Sequence, residues 1–205
     1  MRITATALGK KYQREWIFRH LDAEFDSGKS YAITGHNGSG KSTLLQLLTS
    51  FFPPTEGKVG YFVDNREVPV EQHYQLFDIV TPYLELIEEF TLKEFLSFHF
   101  KFKDLKVGLD LPDFVNKVYL ENDLDKLIGN FSSGMKQRLK LGLAFFSESP
   151  VTFLDEPTSN LDEQGVAWYL ENIKEILSSK LVIISSNQKY EYDFCEKVIH
   201  IPNFK

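Results

Sequence analysis

Gly35-His36-Asn37-Gly38-Ser39-Gly40-Lys41-Ser42 decides how this chain is read. The stretch satisfies G-x-x-x-x-G-K-[ST] and stands between a β-type run at 31–34 and a helical pattern at 43–51. In that setting glycines let the backbone curl so that successive N–H groups point at phosphate oxygens, and the positive end of the next helix adds to them. Gly35, Asn37, Gly38, Ser39, Gly40 and Thr43 are expected to form the cradle, with Lys41 reaching the β- and γ-phosphates. The Ser42 hydroxyl offers an oxygen ligand to a hard cation, Mg2+, carried with the phosphates.

Further runs rich in β-branched or aromatic residues occur at 151–154, 181–185 and 198–201, each bounded by Gly, Asp, Pro or Ser. Apolar residues three and four apart mark helices at 135–146 and 166–177. Strand, glycine turn and helix in alternation predict a mostly parallel α/β sheet. Between 83 and 130 the pattern changes: Leu92, Phe95, Leu96, His99 and Phe102 share one helical face, and no strand signal is visible. This predicts a helical subdomain inserted at 83–130 into a core made of 1–82 and 131–205, the whole forming one domain.

The run Val151-Thr152-Phe153-Leu154-Asp155-Glu156 ends in two carboxylates about 110 residues after the glycine loop. Asp155 is expected to face the cation through a water, and Glu156 to polarise the water that attacks the γ-phosphate. The competing reading is that the two acids cap the next helix.

Composition removes several classes. The chain has 205 residues, 42% of them hydrophobic, enough for a sizeable core. A net charge of −6 offers no broad cationic field for a nucleic acid backbone. Cys195 is the sole cysteine, so no intrachain disulfide forms, and five scattered His give no zinc spacing. No secretory leader and no apolar run of the roughly 20 residues that span a bilayer are read, so direct membrane insertion is not expected.

With these pieces in place, the chain resembles the nucleotide-binding domains of the ABC ATPase family over nearly its whole length. Phe131-Ser132-Ser133-Gly134-Met135, followed by Lys136-Gln137-Arg138, looks like the family's Leu-Ser-Gly-Gly-Gln signature and lies about 20 residues before the carboxylate pair, as in the family. The resemblance implies a P-loop NTPase fold of ABC type, with an antiparallel β part at the N-terminus beside the parallel core. It implies ATP and Mg2+ as cofactors, and ATP sandwiched between the loop of one copy and Ser132 and Gly134 of another. Tyr12, which stands 23 residues before Gly35, matches the aromatic that stacks on adenine. Pro157-Thr158-Ser159-Asn160-Leu161-Asp162 looks like the family's D-loop, with Asp162 at the acidic position that helps join two protomers.

Two positions depart from the family's pattern. Pro82 stands where the Q-loop glutamine is expected, and Asn187, in Ser185-Ser186-Asn187-Gln188, where the switch histidine is expected. Asn keeps a donor but cannot carry charge or shuttle a proton. The implied protein is a slow ATPase, the motor subunit of a transporter, cytoplasmic and held at the membrane by transmembrane permease subunits, with a second nucleotide-binding subunit as its dimer partner. A soluble ABC ATPase outside transport and a regulatory ATP-binding module are the alternatives. Permease docking is expected in the groove between Pro82 and the inserted helices, around Tyr83, Glu85, Glu88 and Glu89; those acids are otherwise a solvated face.

Overall fold

A computed structural model describes residues 1–205. Its strands are β1 (Arg2–Tyr12), β2 (Glu15–Asp26), β3 (Ser30–Thr34), β4 (Glu56–Val63), β5 (Arg66–Val68), β6 (Phe77–Val80), β7 (Val151–Asp155), β8 (Leu181–Ser185) and β9 (Lys197–His200). The helices are α1 (Lys41–Leu48), α2 (Leu92–His99), α3 (Leu111–Lys117), α4 (Ser133–Phe145), α5 (Glu163–Ile176) and α6 (Lys189–Tyr192). Strands β2-β1-β4-β5 form an antiparallel sheet, and β6-β7-β8-β3-β9 a parallel one. An antiparallel sheet built from the N-terminal strands beside a parallel one is what the resemblance implies.

The parallel sheet is covered on both faces, and β3, β7 and β8 are buried at every position. Period-two alternation divides their residues. Val151, Phe153, Leu181 and Ile183 pack with α1 and the antiparallel sheet, through Leu44, Leu48, Phe18 and Tyr61. Leu154, Val182 and Ile184 pack instead with α4, α5 and residues of the 92–120 segment. β7 and β8 are thereby pinned from two sides.

Residues 83–130 contain α2, α3 and a 3-10 turn at Ile128–Asn130, and none of the strands. Both helices start on capping boxes, Thr91 with Glu94 and Asp110 with Asp113, which fix where the chain turns into helix. Gly142 lets this segment approach α4: a Cβ there would stand 2.2 Å from Val118 Cγ1. Phe114, Val115 and Val118 consequently join the same core as Leu139 and Leu143.

Several expected boundaries are corrected. The helix read to residue 51 ends at Leu48, because Ser50 turns to φ 62° and Phe51 leaves the core. The last strand is Lys197–His200, and Ile201 opens a 3-10 turn. Helix α2 stops at His99, so Phe102 lies beyond the buried stripe and is 73% exposed. Strand β6 was not legible as a strand, yet it forms the edge that leads into the 83–130 segment.

Lys180 sits in a polar pocket between β8 and the end of α4. Its Nζ donates to Ala144 O at 2.8 Å and to Ser147 Oγ at 3.2 Å, and Ser147 donates to the Asp78 carboxylate. Burial lowers its pKa from 10.5 to about 8, with Asp78 and Glu148 opposing the shift and Lys106 and Lys103 adding to it. Below the folded value the buried ammonium costs stability. Between that value and the unfolded one the native state has released the proton and the unfolded state has not, so stability rises with pH. Denaturant melts of the parent and of Lys180→Met should therefore diverge: from about pH 7.5 to about pH 9.5 the parent gains roughly 1–2 kcal/mol relative to the variant.

Candidate active site

The glycine loop leaves β3 and wraps the start of α1. Gly40 holds the N-cap position at φ 107°, and no side chain caps the helix, so the first-turn N–H groups face outward without a protein acceptor. Only glycine fits there, because a Cβ would meet Ile17 Cγ2 at 2.3 Å. Lys41 is buried and folds back on the loop, its Nζ donating to Gly35 O at 3.0 Å and to His36 O at 3.4 Å. Ser39 is fully buried, with an Oγ that has no partner. The loop is therefore a shell of donors organised around a space.

That space is a cleft of about 450 Å³, lined by Asn37, Gly38, Gly40, Lys41, Ser42, Thr43 and Glu156, with Ile17 of β2 and Tyr83 on its rim. Glu156 follows directly on β7 and takes φ 45°, a left-handed conformation that a non-glycine side chain adopts at a cost. Its N–H donates to Ser185 O at 2.8 Å, which ties the turn to β8. Asp155 is 3% exposed and its Oδ1 has no partner. Neither acid caps a helix; that task falls to Asp162, whose Oδ1 accepts from Gly165 N at 2.8 Å at the start of α5.

The end of β8 completes a second hollow, about 320 Å³, lined by Asn37, Glu156, Thr158, Ser159, Ser186 and Asn187 among others. Asn187 Nδ2 donates to Asn37 Oδ1, so the switch position touches the glycine loop directly. The buried Glu191 carboxylate accepts from Thr158 N at 2.8 Å, from Thr158 Oγ1 and from Ser186 Oγ, and so binds the 157–162 loop to the switch segment. Gln137 makes the matching tie from α4, with Nε2 donating to Pro157 O at 2.7 Å. Glu191 was not singled out from sequence, and Gln137 was quoted only as part of the stretch after Met135: neither shows its bond to this loop until the fold brings it there.

Ser132 caps α4, its Oγ accepting from Met135 N at 3.2 Å, and is exposed. Gly134 lies against Asn160 O, where a Cβ would stand 3.2 Å away. Neither residue lines the cleft of its own chain. Tyr12 ends β1, half exposed, with Lys10 Nζ 5.3 Å from its ring centroid, and it too lies outside the cleft lining. Pro82 brings no polar group; its neighbour Tyr83 reaches the cleft instead. No group of three His, Cys, Asp or Glu side chains is placed to hold a metal.

A family model described as ABC transporter matches residues 18–159, from β2 through the carboxylate pair to the loop after it. The chain belongs to the ABC transporter family. As a member it is an ATP-binding, ATP-hydrolysing domain. It is 31% identical over 185 residues, 89% of this chain and 84% of the relative, to an uncharacterised ABC transporter ATP-binding protein, YybJ, of Bacillus subtilis. It is 30% identical to a probable ABC transporter ATP-binding/permease protein of Haemophilus influenzae, matching 98% of this chain but only 38% of that longer protein. Its fold superposes on a dimeric bacterial ABC transporter cassette with a TM-score of 0.80 at 20% identity, covering 97% of this chain and 93% of the other.

Within this ABC domain the Glu191 tie is the most heavily bonded buried side chain near the cleft. Glu191→Ala leaves Thr158 N and Ser186 Oγ without acceptors, at about 1–3 kcal/mol for each orphaned group. Urea unfolding should show a loss of roughly 2–4 kcal/mol with an unchanged m-value.

Proposed function

We propose that this chain is the ATP-driven motor subunit of a transporter, working as a head-to-tail pair that closes on two ATP molecules and reopens after hydrolysis. The observation that carries the reading is a division of labour between two helix starts. The uncapped end of α1, with Lys41, lines the cleft, while the exposed end of α4, with Ser132 and Gly134, does not. Each is suited to an anion. A second copy brings the α4 start to the triphosphate seated on the first copy's loop, in keeping with the dimeric state named for the similar cassette.

Within each site Gly35, Asn37, Gly38, Ser39, Gly40 and Thr43 cradle the phosphates, and Lys41 turns from its carbonyls to the β- and γ-phosphates. Ser42 and Asp155 fit Mg2+: a hydroxyl in the cleft and a buried carboxylate oxygen without a partner are the hard oxygen donors that this ion prefers. When bound, the ion neutralises charge that builds on the phosphate oxygens. Glu156, held at the cleft by its strained turn, orients and polarises the attacking water, and Asn187 supplies a neutral donor beside it. Tyr12 offers an exposed ring to the base from the hairpin whose Ile17 walls the cleft. Asp162, besides capping α5, stands in the loop that would meet the partner copy.

No helix is long and apolar enough to cross a membrane. The chain would sit peripherally on the cytoplasmic face, held by transmembrane permease subunits. Their docking place is a groove of about 290 Å³ between β6 and the inserted 83–130 subdomain, walled by Phe51, Tyr74, Leu84, Ile87 and Phe95. Glu85 lines that groove, whereas Glu88 is engaged by Lys136 and Glu89 is exposed.

Two substitutions separate binding from chemistry. Lys41→Ala removes a charge-assisted phosphate contact and should weaken ATP by about 10- to 100-fold in calorimetry. Glu156→Gln should keep ATP affinity while steady-state phosphate release falls about 100-fold or more, within the range assigned to general-base catalysis. Equal turnover in Glu156→Gln and the parent would take Glu156 out of the mechanism.

A further inference from the structure

The backbone that leaves β8 is closely held. Ser186 N donates to Ile33 O of β3 at 3.2 Å, Ser186 Oγ donates to the buried Glu191 carboxylate, and Gln188 N donates to Ser186 Oγ at 2.8 Å. Asn187, between these anchors, keeps little freedom beyond rotation of its own exposed side chain. That side chain has a donor at one end and an acceptor at the other, and either end fits the same space. Asn187 lines the second hollow but not the nucleotide cleft, whereas Asn37 and Glu156 line both. Asn37 reaches across from the glycine loop, and its Oδ1 accepts from Asn187 Nδ2.

We infer that Asn37 is the positioning residue for Asn187: its side-chain oxygen selects the end of the Asn187 amide that faces the transferred phosphate. An ionised phosphate oxygen only accepts hydrogen bonds, so Asn187 is useful there only with its NH2 end turned to the cleft. Rotated the other way, the amide would set a carbonyl oxygen against the negative charge of the γ-phosphate. Asn37 Oδ1 takes one hydrogen of the Asn187 NH2 group and leaves the second for the phosphate, while the reversed amide would place oxygen against oxygen. In the single chain this bond is exposed and water competes with it. Covering by ATP and a second copy removes that water, so the preference strengthens when the γ-phosphate is in place. The cradle itself works through backbone N–H groups, which leaves the Asn37 side chain free for this task. A histidine at this position would need no such guide, because a neutral imidazole carries its proton on whichever nitrogen meets the acceptor. The inference rests on the reading of the cleft as the ATP site and of Asn187 as a donor beside the γ-phosphate.

A double-mutant cycle tests it: steady-state phosphate release by the parent, Asn37→Ala, Asn187→Ala and the double variant, with ATP affinity measured by calorimetry in matching Glu156→Gln chains. Asn187→Ala should lower kcat about 100-fold, as loss of a stabilising donor does, and Asn37→Ala about tenfold, the worth of one hydrogen bond. The double variant should be no slower than Asn187→Ala, and Asn37→Ala should bind ATP within about twofold of the parent, because the backbone cradle remains. In an Asn187→His background Asn37→Ala should leave turnover unchanged, whereas a loop merely distorted by the loss of Asn37 would be slow in both backgrounds. Should Asn187→His be inert, the cycle alone decides. An Asn37→Ala chain as fast as the parent, losses that multiply in the double variant, or a tenfold loss that persists with Asn187→His would each overturn the inference and leave Asn187 its role. If Asn187→Ala turns over like the parent, the reading of Asn187 fails and this inference falls with it. A Glu156→Gln chain that binds no ATP would instead remove the cleft reading on which both depend.

Discussion

A triphosphate carries several negative charges into a partly buried cleft, and something must meet them. In this chain the first turn of α1 does so, left without a side-chain cap and preceded by glycines at positive φ. Lys41 adds the one buried positive charge of the loop and, with no anion present, is satisfied by the carbonyls of Gly35 and His36. An ammonium left unpaired at that depth would be costly, so the lysine has two stations, one on the loop and one on a phosphate.

The parallel sheet supplies everything else at one edge. β3 ends at Gly35, β7 at Asp155 and Glu156, β8 at Ser186 and Asn187, and β6 at the turn that carries Tyr83. Ligands of open α/β sheets bind outside the carboxyl ends of the strands, and here four neighbouring or near-neighbouring strands deliver the whole constellation. Burial on both faces keeps those strand ends in register, so the loops they carry are positioned by rigid elements. The ties made by Gln137 and Glu191 extend the same rigidity to the 157–162 loop, the part of the surface nearest the α4 start.

What could be read from the chain followed how local its physics is. The glycine loop, the acidic end of β7 and the cap at Ser132 are written in consecutive residues, and each lies where that spacing implies. The antiparallel strands were legible only through family resemblance, because the irregular register of β1, with shifts after Ala5 and Leu8, breaks the alternation on which strand reading depends. Phe102 misled because a helical stripe does not reveal where the helix stops. Ile17 and Glu191 stayed hidden for a different reason: their places come from contacts across long stretches of chain, which no local pattern encodes.

The central claim is that two copies share each triphosphate, the loop of one facing the α4 start of the other. Sedimentation velocity on the Glu156→Gln chain, with and without ATP and Mg2+, tests it directly when Ser132→Arg is run beside it. The account predicts monomers without nucleotide, dimers with ATP, and monomers under both conditions once Arg blocks the α4 start. A chain that stays monomeric at saturating ATP, or a dimer indifferent to both ATP and Ser132→Arg, would contradict it.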